Sequence, residues 1–213
     1  MLCVTLTLAK NFPNAGASET VDQLVASLRQ HPDAVGGAVA GFKAVGERQV
    51  QGCLTSADET VGFVLSAARS GAWGVHLTLL SFDTNGQLPW GDESSMRPVL
   101  DAAAKTGAHA LRAPGGVEVV KAVDNKLVGP KDFPELGPIE STLQLLCAIE
   151  RRRSDEGQEA GLMINGGKSQ IQAAGHLGVS QQAISARLHA GYWYESRKVA
   201  YWLASQVERV LAG

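Results

Sequence analysis

The chain is sparing with cysteine and has no long apolar runs. Of its 213 residues only three are cysteine, and Cys3, Cys53 and Cys147 are odd in number, far apart and set in apolar segments. That excludes a disulfide framework, gives no zinc-ligand spacing and fits a reduced cytoplasm. No apolar run approaches the roughly 18 residues that suggest a membrane span. The opening CVTLTLA has no basic lead-in and is too brief and threonine-rich for a signal peptide, so it reads as a strand. A cytoplasmic protein away from membranes is the expectation. Signatures of catalysis are also missing. The two glycines of AHALRAPGGVEVV lack the lysine and helix that follow a phosphate loop. The five histidines keep no close spacing with Cys or Asp that suits zinc. The polar run holding Asp83, Asp92 and Glu93 reads as a solvated connection. Neither a metal, a cofactor nor an enzymatic activity is expected.

What the chain does contain is an ordinary globular composition, 45% hydrophobic and 19% charged, enough to bury a substantial core in one domain or two. The most informative stretch is QIQAAGHLGVSQQAISARLH, Gln170 to His189. Gly178 stands where one apolar-periodic segment (Ile171, Ala174, Leu177) stops and another (Val179, Ile184, Leu188) begins. A glycine there takes positive φ without a side-chain penalty. Ser180 follows as a hydroxyl able to cap a second helix starting near Gln181. Ala173 and Ala174 are small where the first helix must approach the second, and Ile184 and Leu188 lie four apart on one side of the second. Its outward face carries Gln181, Gln182, Ser185, Arg187 and His189. Glutamine can pair bidentately with adenine and serine can donate or accept, so this face can read a major groove.

Charge divides unevenly along the chain. Residues 1–140 hold 11 Lys and Arg against 15 Asp and Glu, a balance of −4, while residues 141–213 hold 8 against 6, or +2. A mildly basic end suits contact with phosphates. Arg151, Arg152 and Arg153 are candidate phosphate clamps at a helix end, and Lys168 and Ser169 enter the reading unit where a DNA backbone would pass. The dense aromatics Tyr192, Trp193, Tyr194, Tyr201 and Trp202 suit core or dimer packing better than stacking on single-stranded bases.

The first 130 residues alternate strand-like and helix-like segments. CVTLTLAK is followed by a helix over Glu19–Arg29, a pair GAVAGFKAV and RQVQGCLT, and a helix over Ala57–Arg69. GVHLTLLSF, a helix over Met96–Lys105, HALRA and GVEVVKAV come next. The order predicts an α+β domain over 1–130 with a ferredoxin-like or palm-like sheet and helices on one face. VGPKDFPELGP, with three prolines and two glycines, predicts a linker over 131–139. An all-helical domain over 140–213 follows: a helix over Glu140–Arg153 with Leu143, Leu146, Cys147 and Ile149 inward, one ending near Asn165, the reading unit, and a helix over Glu195–Leu211. That last helix puts Val199, Leu203, Val207 and Val210 on one stripe.

The stretch from Gln170 to His189 resembles the Cro and repressor class of phage regulators in its alanine, its Leu-Gly-Val turn, the glutamine after it and its Ala-Ile pair. The whole chain resembles the SatD family, in which a small α+β domain precedes a C-terminal helix-turn-helix. The residues that carry this are GERQVQG at Gly46–Gly52 with the alanine-rich helix after it, the strand GVHLTLL, and QQAISARLHAGYW at Gln181–Trp193. The family pattern has Asp-Glu-Phe where this chain has Glu47-Arg48-Gln49, and CVTLTLAK offers no carboxylate, so the resemblance carries over no nucleotide or metal site. It implies architecture and DNA binding.

The expectation is therefore a sequence-specific double-stranded DNA-binding protein, a transcriptional regulator acting as a homodimer. Its first domain would serve as a sensor of an unidentified small-molecule effector, a scaffold or a dimeriser. The alternatives are a DNA-organising or phage-derived adaptor with weak sequence preference and a nucleotide-responsive sensor with DNA-binding output.

Overall fold

The computed structural model describes residues 1–13, 16–30, 38–81, 93–124 and 126–212. The fold is mixed α+β, with a six-stranded sheet and eight α-helices among the described residues. In chain order they are β1 (Leu2–Leu8), α1 (Ala17–Gln30), β2 (Ala38–Ala44), β3 (Gln49–Leu54), α2 (Ala57–Arg69), β4 (Trp73–Leu80), α3 (Glu93–Thr106), β5 (Val117–Val123), β6 (Lys126–Val128), α4 (Leu136–Arg152), α5 (Asp155–Asn165), α6 (Gln170–Leu177), α7 (Gln181–Ala190) and α8 (Trp193–Ala212). The strands lie in the order β2-β3-β1-β4-β5-β6. Every pairing is antiparallel except β4 with β5, which run parallel. A parallel neighbour needs a crossover, and α3 with the 3₁₀ turn after it supplies one.

Alternation along β1 separates two faces. Leu2, Val4, Leu6 and Leu8 join one core with residues of α1, α2, α4 and α8. Met1 and Cys3 meet Met96, Val99 and Leu100 of α3 in a second, smaller one. Helices therefore cover both faces rather than one, because β1 has its remaining side chains on the second face and they too need cover. That second face is polar along its middle, where Thr5, Gln51, His76 and Thr78 are all buried. Gln51 Nε2 donates to Thr5 Oγ1 at 2.9 Å and to Leu100 O at 3.0 Å. Gln49 Nε2 donates to Thr7 Oγ1 at 3.0 Å and to Ala104 O at 2.9 Å. Arg48 donates to the carbonyls of Ala9 and Phe12. Gln49 and Gln51 of the Gly46–Gly52 hairpin thus tie the sheet to α3, and Arg48 ties the hairpin to the segment after β1.

Two further expectations are corrected. HALRA is not a strand: residues 107–112 form a 3₁₀ turn, seated so closely that a Cβ on Gly74 would lie 2.7 Å from Leu111. The predicted linker at 131–139 runs into α4, which starts at Leu136 and holds Pro138 in its first turn, where proline costs no helical hydrogen bond. Nor does the core divide there. Leu136, Ile139, Leu143, Leu146 and Cys147 of α4 and Ala200, Leu203, Ala204 and Val207 of α8 belong to the same core as the sheet. Burial pushes the Cys147 thiol up to about 12. The positions Asp83 and Asp92 lie outside the described residues. Among the described residues no helix is long and apolar enough to cross a membrane.

Candidate nucleic-acid interface

Helices α5, α6 and α7 form a compact unit with its own small core of Ala160, Ala173, Ala174, Ile184, Leu188 and Trp193. Each helix start is written in serine. Ser154 Oγ accepts from Gly157 N at 3.1 Å. Ser169 forms a reciprocal capping box with Gln172: its Oγ accepts from the Gln172 N–H at 3.2 Å, and Gln172 Oε1 accepts from the Ser169 N–H at 2.8 Å. Ser180 Oγ accepts from Ala183 N at 3.1 Å. Between α6 and α7, Gly178 takes φ 66° and ψ 29°, and Val179 N donates back to Ala174 O at 3.1 Å. This is the left-handed helix stop that a Cβ would oppose. The two alanines let α6 approach α7, which is locked by Ile184 and Leu188. Ile171 does not join them; it is 68% exposed.

The outward surface carries Gln181, Gln182, Ser185 and His189, all exposed, with Arg187 half-buried. The side chains of Gln181, Gln182 and Ser185 make no hydrogen bond to another described residue, so their donors and acceptors face outward. Ser180 and Ser169 are exposed but committed to helix caps, which leaves their backbones rather than their hydroxyls for a ligand. From Lys168 to Tyr194 the chain has no Asp or Glu, while Lys168, His176, Arg187 and His189 all fall within it. That stretch itself offers no like charge to phosphate, while Glu156 at the exposed start of α5 lies close enough to Arg187 to interact with its charge.

The arginine triplet is split three ways. Arg152 is exposed, and with Arg187 it lines a cavity between the end of α4 and α7, so these two candidate cations are brought together. Arg151 Nε donates to Ala68 O of α2 at 3.0 Å, and its guanidinium lies against Gly116. Arg153 is 5% exposed and cannot clamp a phosphate. Its guanidinium bonds Glu150 Oε2 at 2.5 Å, Gln158 Oε1 at 3.1 Å, Ser196 Oγ at 3.0 Å and Gly191 O at 3.0 Å. The physical reason is Glu150, itself 2% exposed, a buried carboxylate that requires cationic partners. Arg197 supplies a second partner to Glu150. The two guanidinium groups lie over the Trp193 ring at 4.7 Å and 4.6 Å. Burial draws the Arg197 pKa down, with Glu150 opposing it.

This knot ties α4, α5, the end of α7 and the start of α8 together, and sequence reasoning missed it. The available signal was Glu150, three residues before Arg153 on an otherwise apolar helix face. Arg69 of α2 extends it to the sheet, donating to Glu150 O at 3.2 Å, Arg153 O at 3.1 Å and Asp155 Oδ1 at 2.6 Å. Of the five aromatics from Tyr192 to Trp202, Trp193 alone packs in the core; Tyr192, Tyr194, Tyr201 and Trp202 are exposed, and Val199 joins them rather than the inward stripe of α8.

Compared with protein-family models, curated proteins and solved structures, the chain matches none.

Proposed function

We propose that the chain is a sequence-specific double-stranded DNA-binding protein, a transcriptional regulator, that inserts α7 into the major groove. The observation that carries this is the surface of α7. Gln181, Gln182 and Ser185 stand outward and unbonded near the helix N-terminus on a stretch without carboxylates, while Ile184 and Leu188 fix the helix from behind. The N-terminal residues of a second helix are those that meet base edges in this mode of docking. Lys168, Arg152 and Arg187 are the cations placed to meet phosphates, and each phosphate neutralised steepens the salt dependence by about 0.9 in log–log slope.

The sheet fits a supporting role. The order β2-β3-β1-β4, with α1 and α2 between its strands, supports a ferredoxin-like reading extended by β5 and β6, and Arg48, Gln49 and Gln51 of the hairpin that would bear palm chemistry are occupied with structural hydrogen bonds. A SatD-like regulator with a non-catalytic first part is consistent with both.

Selection of bound fragments from random genomic DNA is the test. A sharp palindromic motif is expected, and patternless or AT-rich enrichment would replace a regulator with a DNA-organising protein. In the double variant Gln181→Ala/Gln182→Ala, affinity for the selected site should fall by about 1–3 kcal/mol per lost bidentate contact, with relaxed base preference. Unchanged affinity and preference would remove α7 from the interface.

A further inference from the structure

Helix α8 turns Trp193, Ser196, Ala200, Leu203, Ala204 and Val207 inward. At 3.6 residues per turn the line directly opposite runs through Glu195, Lys198, Trp202, Ser205 and Arg209, and all five are exposed. Trp202, at the middle of this line, is 49% exposed, with Val199 at 38% beside it. A cavity of about 500 Å³ opens next to Trp202, walled by the apolar Phe133, Ile139 and Val210 and by the polar Glu135, Gln206 and Arg209.

We propose that this face is the interface of a symmetric dimer, in which a second copy of the chain lays its own α8 antiparallel across it with the twofold axis at Trp202. Charge order points to a second copy. Glu195 lies seven residues before Trp202 and Arg209 seven after it, so antiparallel pairing about Trp202 sets Glu195 against the partner's Arg209 at both ends. A parallel pairing would set like against like. Length agrees: Trp202 falls at the centre of the 20-residue helix, so this register overlaps the two helices completely. The cavity beside Trp202 receives the partner's Trp202, an apolar anchor in a pocket with charged pairs at the rim.

The geometry also suits the DNA-reading proposal, on which its biological purpose rests. Helix α7 ends two residues before α8 begins, so the two α7 helices lie at opposite ends of a pair about 30 Å long, close to the roughly 34 Å of one DNA turn.

Sedimentation of the purified full chain without DNA tests the interface by itself. The wild type should be a dimer, and Trp202→Glu should weaken it at least a hundredfold. Glu195→Arg should weaken it about tenfold, because two like-charge contacts form per dimer. Glu195→Arg/Arg209→Glu should restore dimerisation, which assigns the loss in the single variant to charge pairing rather than to misfolding caused by arginine at 195. A wild type that stays monomeric, a dimer indifferent to Trp202→Glu, or a double swap that restores nothing would overturn the proposal. Binding to a half-site duplex separates the two ideas. A dimer without DNA affinity refutes the reading of α7 alone, and a monomer that binds the half-site refutes the interface alone.

Discussion

Replacing Arg153 by methionine keeps most of the apolar stem and deletes the charge, which makes it the sharpest probe of how the unit of α5, α6 and α7 is mounted. Four hydrogen bonds disappear, to Glu150, Gln158, Ser196 and Gly191, along with the cation over Trp193. Breaking a buried ion pair costs about 3–5 kcal/mol, and the lower end applies because Arg197 still neutralises Glu150. The orphaned Gly191 carbonyl and the lost cation–π contact each add about 1 kcal/mol. The expected loss is therefore about 4–5 kcal/mol, roughly 10 °C or more in Tm for a chain of this size. Urea unfolding followed by tryptophan fluorescence reads it directly, with exposed Arg152→Met as the control, expected within about 0.5 kcal/mol of wild type. A loss below about 1 kcal/mol, or one shared equally by Arg152→Met, would refute the account of a structural arginine. A phosphate-binding Arg153 would behave oppositely, leaving stability intact while lowering the salt slope of DNA binding by about 1.

Three further outcomes are expected. Gly178→Ala should lower stability by about 1–2 kcal/mol, since the space around its Cβ is open and only the left-handed backbone at φ 66° opposes it. Gly161→Ala should cost more, because its Cβ would lie 2.2 Å from Trp193 Cε3, in a ring that two guanidinium groups already contact; urea midpoints that reverse this order would contradict the packing described. The third concerns alkaline pH. The Cys147 proton is retained to about pH 12 in the folded chain against 9.0 ordinarily, so the unfolded chain loses it first and stability falls as pH rises through that window. Cys147→Ala should show a shallower decline between pH 9 and the alkaline limit of reversible unfolding, and an identical slope would disprove the burial-driven shift.

The corner between α6 and α7 was legible because its determinants are local. A residue without Cβ at Gly178 and a capping hydroxyl at Ser180 act within one turn, and Ile184 and Leu188 keep helical spacing, so residue order alone specifies them. The same reasoning misplaced Arg153, since three arginines at a helix end look alike until Glu150 is seen to be buried beneath one of them. Proline and glycine over residues 128–138 signalled a break in periodicity, which is real, but composition does not say whether the chain beyond it returns to the same core. Here α4 and α8 do return. The exposure of Ile171 and Val199 follows the same rule: periodicity says which residues share a face, and tertiary contact decides which face is covered.

The joint between α7 and α8 consists of Gly191 and Tyr192, with Arg153 gripping the Gly191 carbonyl and α8 lying against the helices that cover the sheet. There is no slack chain between the end that would touch a ligand and the bulk of the molecule. A regulator on a flexible leash can follow its two half-sites over a range of separations, whereas in the proposed dimer this mount would work as a fixed caliper. Inserting or deleting a single base pair between half-sites would rotate one of them by about a tenth of a turn, and the protein would have to meet that error by deforming the duplex rather than itself.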